Sequence, residues 1–172
     1  MITKDEEALG VAFAEIFSSK MMNVHTILPG KVISADAVTR TISVQPVIKR
    51  KYIDATAYTL LPVIEDVPIC FPGCGDYFIS FLPVSGDYVL LGVSERDISN
   101  WGVSGGIVEP KQKHVFDLSD AIMIGTLFPG DSVIAPAVES GKLVIRNKLK
   151  TAYISIDSAG QVDLNGNFTV DK

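Results

Sequence analysis

The sequence predicts a mainly β protein with a helix at its N-terminus, a five-stranded barrel in its middle and a short stem built from strands at its C-terminus. Three observations predict it. Apolar residues recur at spacings of three and four only across residues 3–22, and from Val24 onward they alternate with polar residues. Gly 14 and Pro 9 punctuate the 172 residues often enough for short strands and turns rather than a helical bundle. The apolar share is 47% and the mean hydropathy +0.31, which supplies a core and excludes a disordered chain.

The helix is expected over 3–22. Thr3 and Glu6 have the spacing of a capping box. Asp5, Glu6 and Glu7 fall in the first turn and Lys20 in the last, as the helix dipole favours. Leu9, Phe13, Ile16, Phe17 and Met21 fall on one face. No second helix of similar length follows, so that face needs a β domain, a sister subunit or another protein to cover it. Leu9, Phe13, Ile16 and Phe17 are the candidate docking residues.

The barrel strands follow. Residues 24–35 and 39–48 read as the first two, turning near Asp36-Ala37-Val38. Residues 58–64 and 67–71 read as one long bent strand, interrupted by Pro62 and by Glu65-Asp66. Residues 77–82 end at Pro83, and Ser85-Gly86-Asp87 turns into a last strong strand over 88–93. Five such strands suit a small Greek-key barrel, with the OB-fold the leading candidate. Ser94 and Asp97 resemble a cap and its N3 acid, predicting a short helix over 94–101. Asp117-Leu118-Ser119-Asp120 leads into an apolar strand over 121–124.

Residues 129–141 read as a connector. Beyond them Leu143 and Ile145, then Tyr153, Ile154 and Ile156, then Val162 and Leu164, then Phe168 and Val170 alternate with polar residues. Asp157-Ser158-Ala159-Gly160 and Asn165-Gly166 supply turns. A lone hairpin is marginal in water, and open strand edges invite association. The economical arrangement is an intertwined β-prism of several copies. Its packing residues are Ile154, Ile156, Val162, Leu164, Phe168 and Val170.

The chemistry-bearing patterns are few. A net charge of −5 and a pI near 4.9 argue against nucleic acid, which basic surfaces bind. No apolar run approaches the ~18 residues that cross a bilayer, and the acidic N-terminus is unlike a signal peptide, so synthesis in a cytoplasm is expected. Cys70 and Cys74 with two distant histidines are too few for a zinc site, and read as free, partly buried thiols. Gly102-Val103-Ser104-Gly105-Gly106 matches G-x-S-x-G, but the strand-turn-helix context of a nucleophile elbow is lacking, so Ser104 reads as a loop residue. His25 and His114 read as surface or turn residues. The scattered acids read as a solvated surface rather than a glycosidase pair. Tyr77, Phe78, Phe81, Tyr88 and Trp101 suit a core or a subunit interface better than a stacking platform for bases or sugars. No enzyme, cofactor or metal site is expected.

An ordered series then carries a resemblance. Thr26-Ile27-Leu28-Pro29-Gly30-Lys31-Val32 and Gln45-Pro46-Val47 come first. Val67-Pro68-Ile69-Cys70-Phe71-Pro72-Gly73, Gly86-Asp87-Tyr88-Val89-Leu90-Leu91, Ser94-Glu95-Arg96, Asn100-Trp101 and Asp117-Leu118-Ser119-Asp120-Ala121 follow. Together, over about residues 24–128, they resemble the N-terminal OB domain of central, membrane-piercing spike proteins of phage Mu and other contractile-tailed phages. The resemblance implies a homotrimeric virion component at the tip of the tail baseplate. An OB collar would join tail hub proteins, and a trimeric β-helix would be driven through the host outer envelope on sheath contraction. Family members often close the apex with iron held by an H-x-H pair. No histidine follows His114 here, so a metal apex from this chain is not expected; a separate tip protein is, because the strand edges at Phe168 to Val170 would otherwise be left open. The organisation expected is a helix over 1–22, a collar over 23–128 and a connector with stem over 129–172. The alternative is an OB-fold binding module for oligosaccharide or oligonucleotide; a third reading, a tail-associated cell-wall hydrolase, has no site to support it.

Overall fold

The computed structural model describes residues 4–52, 55–130, 134 and 137–167. Thr3 of the expected capping box, and Phe168 and Val170 of the expected stem, lie outside the described residues. The chain divides into two compact units, Met1–Leu127 and Phe128–Lys172.

The first unit opens with helix α1, Lys4–Met21. Its last turn closes when the Met22 N–H donates to Ser18 O and the Val24 N–H to Met21 O, both at 3.1 Å. Strands β1 (Ile27–Asp36), β2 (Thr41–Pro46), β3 (Ile64–Pro68), β4 (Gly73–Cys74), β5 (Tyr77–Phe78), β6 (Tyr88–Val93) and β7 (Ala121–Leu127) follow. Between β6 and β7 lie helix α2 (Ser99–Ser104) and a 3-10 turn (Leu118–Asp120). Five strands form one antiparallel sheet in the order β3-β2-β1-β6-β7. The sheet curls into a half-barrel. Its outer strands approach where Ile69 bridges Met123 and the Cys70 N–H donates to Met123 O at 2.9 Å. Register shifts between Val32 and Ser34, Ile42 and Val44, and Leu90 and Leu91 add the local bend such a curl needs.

The core lies on the concave face. Val32, Ile42, Val44, Val67, Val89, Leu91 and Met123 are all fully buried there, on alternate positions of their strands. Gly30 is required in β1, because a Cβ at that position would overlap Val44 Cγ1. The β1–β2 turn is tied by the Asp36 carboxylate, which accepts from the Val38 and Thr39 N–H groups at 2.7 and 3.2 Å.

Three local expectations are corrected. The bent strand over 58–71 reduces to Ile64–Pro68, and Thr59 forms an isolated bridge to Arg50. Residues 77–82 do not join the sheet; Tyr77 and Phe78 pair back onto Gly73 and Cys74, and the fifth sheet strand is β7. The short helix begins at Ser99 rather than Ser94; Ile98 is its N-cap, and the Asp97 carboxylate just before it accepts from the Ser99 N–H at 2.9 Å.

The second unit is a three-stranded antiparallel sheet, β10-β9-β8, made of β8 (Lys142–Arg146), β9 (Tyr153–Asp157) and β10 (Val162–Asn165). One polar residue organises each connection. Asn147 Oδ1 accepts from the Thr151 N–H at 2.9 Å, and Asp157 Oδ1 accepts from the Ala159 and Gln161 N–H groups, both at 2.9 Å. Gly160, at φ 81°, completes the second turn.

Candidate functional site

Polar side chains converge at one place in the half-barrel unit. His114 Nε2 lies 2.8 Å from Asp120 Oδ2, and Asp97 stands beside them, the ligand-type atoms of all three within 4.8 Å of one another. Every carboxylate oxygen is already engaged. Asp97 Oδ1 and Oδ2 accept from the Ser99 and Gln112 N–H groups, and Asp120 Oδ1 accepts from the Ile98 N–H. The Ser99 hydroxyl and N–H, with help from the Gln112 N–H and the His114 charge, pull the Asp97 carboxyl down to about 2. Asp97 and Asp120 are buried, so this donor set replaces the water they lose. The trio fastens the long connection between β6 and β7. Sequence spacing did not bring these residues together, and His114 is a half-buried hydrogen-bond partner of Asp120 rather than a plain surface residue.

The other chemical candidates separate. The Ser104 hydroxyl donates to Asn100 O at 3.0 Å, at the end of α2. Cys70 and Cys74 are both free and exposed, which corrects the expectation of partial burial. His25 is held below its ordinary value, chiefly by burial and then by the Arg50 charge. Tyr77, Phe78, Phe81 and Trp101 are exposed, so the core reading fails for them.

The apolar surfaces are the more informative feature. On α1, Leu9, Phe13, Ile16 and Phe17 all stand in the open, each more than half exposed. In the three-stranded sheet of the second unit, register places six aliphatic side chains on one face. Leu143, Ile156 and Val162 form one row across β8, β9 and β10, and Ile145, Ile154 and Leu164 form the next. These six are 42–62% exposed, whereas Ser155, at the centre of the opposite face, is buried. A single chain thus turns the apolar side of this sheet outward, the reverse of what water favours. Covering the remaining area of each aliphatic is worth about 1 kcal/mol, or several kcal/mol per copy.

No curated protein matches the chain. A family model does, that of the phage protein Gp138 N-terminal domain, which matches residues 28–126. The matched stretch runs from β1 into β7 and takes in the whole curled sheet and the Asp97–His114–Asp120 cluster. It covers more than half of the 172 residues, and this chain belongs to the phage proteins that carry the Gp138 N-terminal domain.

Proposed function

We propose that this chain is a structural, non-catalytic subunit of the central spike of a contractile phage tail, and that it works as a homotrimer. The half-barrel unit is the OB-type collar and the β8–β10 sheet is the stem. The carrying observation is the stem face of Leu143, Ile145, Ile154, Ile156, Val162 and Leu164, exposed on one chain and continuous across three strands. Three such faces turned toward a common axis bury one another and form a prism. Leu9, Phe13, Ile16 and Phe17 of α1 dock on tail hub proteins, and the open edge of β10 is where a separate tip protein caps the stem. The spike sits at the baseplate tip of the virion and touches the host outer envelope only during contraction. Its work is mechanical: a narrow, closed β-prism concentrates the force of contraction on a small area.

Light scattering on the purified chain tests the reading. The expected mass is three times 18.5 kDa. A folded monomer whose stem amides are protected from exchange would remove the basis of the proposal.

A further inference from the structure

The half-barrel unit carries two further surfaces that differ in chemistry. The first is the hairpin 73–84. Among the described residues its strands β4 and β5 pair only with each other. Phe71 supports it from below, with ring centres 6.0 Å from Phe78 and 6.1 Å from Phe81, and Ile79 N–H donates to Pro72 O at 2.9 Å. Gly73 is required, since a Cβ there would run into Tyr77 O and Phe78. The rest of the hairpin stands outward: Tyr77 is 83% exposed, Phe78 64% and Ile79 56%. Aromatic and aliphatic surface of this kind amounts to roughly 600–800 Å², the share that one partner contributes to a stable interface. Its charge is one-sided. No lysine or arginine occurs between Lys51 and Arg96, and the hairpin tip carries Asp76.

The second surface follows β2. Lys49, Arg50 and Lys51 are the sequence's run of three consecutive cations, in a chain of net charge −5. Arg50 stacks over Tyr52 at 4.6 Å and Lys51 over Tyr58 at 5.9 Å, and Tyr52, Tyr58 and Leu60 are exposed beside them. Arg50 is fixed from behind by donating to Asn23 Oδ1 at 2.8 Å.

We infer that the acidic aromatic hairpin of one copy docks on the basic aromatic surface of the next copy. The occupant is a second copy of this chain because one chain carries both halves of a complementary pair, apolar against apolar and Asp76 against Lys49 and Lys51. Two different patches on the same subunit make a head-to-tail contact, which closes a ring when the rotation permits. This contact rests on the homotrimer reading and adds a collar interface to it that does not involve the stem.

The test uses the full chain with Cys70→Ser, which leaves Cys74 as the thiol of the hairpin, and adds Tyr58→Cys. A short bis-maleimide should then give covalent dimers and trimers on a denaturing gel, and neither should form without Tyr58→Cys. Lys51→Glu should reduce their yield roughly tenfold or more, Asp76→Lys should restore it in the double variant, and added salt should lower it in the parent. A particle of trimeric mass with no linkage between positions 58 and 74 overturns this contact and leaves the trimer standing. A monomer overturns both, whereas linkage confined within one copy of a particle of trimeric mass overturns this contact alone. Docking on a hub protein or a lipid bilayer instead would appear as that unlinked outcome.

Discussion

Gly30 shows how little room the half-barrel leaves at its centre. Its neighbours across the ladder are Pro46 on β2 and Val89 on β6, and Val44 beneath it is fully buried. A stiff β-branched side chain cannot swing aside, so Gly30→Ala should cost about 1–3 kcal/mol, read from chemical denaturation. Asp120 is the second such position. Asp120→Ala strands the Ile98 N–H and the His114 ring together and should cost about 3 kcal/mol, whereas Asp120→Asn keeps the acceptor for Ile98 and should cost less. Asp97 adds a pH dependence. Its carboxyl sits near 2 in the folded chain, against 3.8 ordinarily. The stability it contributes is therefore complete above about pH 4 and is lost as the pH falls from there through about 2. Amide protection factors across 98–112, taken relative to the intrinsic exchange rate at each pH, should hold at pH 5 and fall below pH 3; Asp97→Asn should abolish that change. None of this trio was legible in the sequence, because its members are brought together by folding across 17 and 6 residues and no local pattern marks them.

At the scale of elements, what could be read depended on how local the cause was. Helix α1 follows from apolar spacing, and the stem strands follow from alternation and from turn residues such as Asp157 and Gly160. β1, β2 and β6 were equally visible. The strand expected over 77–82 was not a strand of the sheet, since its alternation is matched by Gly73-Cys74-Gly75-Asp76, which lets the chain fold back at once. β7 fills the fifth place by pairing with β6 across the whole 94–120 connection, a partnership with no local signature. The stem offers the sharpest test of an element. Ile154→Asp places a charge at the middle of the aliphatic face of the second unit. It should shift the protein from trimer to monomer in sedimentation, while the melting of the half-barrel moves by less than about 1 kcal/mol in equivalent stability.

For the whole molecule, the expectation concerns α1. A chain lacking residues 1–22 should remain a soluble trimer and should fail to enter assembled tails, as measured by its incorporation into particles in a complementation experiment. Normal incorporation would remove the docking role of Leu9, Phe13, Ile16 and Phe17. The two side-chain-tied turns of the second unit bear on how particles are made. Asn147 and Asp157 settle the alignment of β8, β9 and β10 within each polypeptide, and a slip of one position would turn every aliphatic residue to the wrong side. In the proposed trimer each copy therefore brings its own strand alignment, and association has only to cover the aliphatic face.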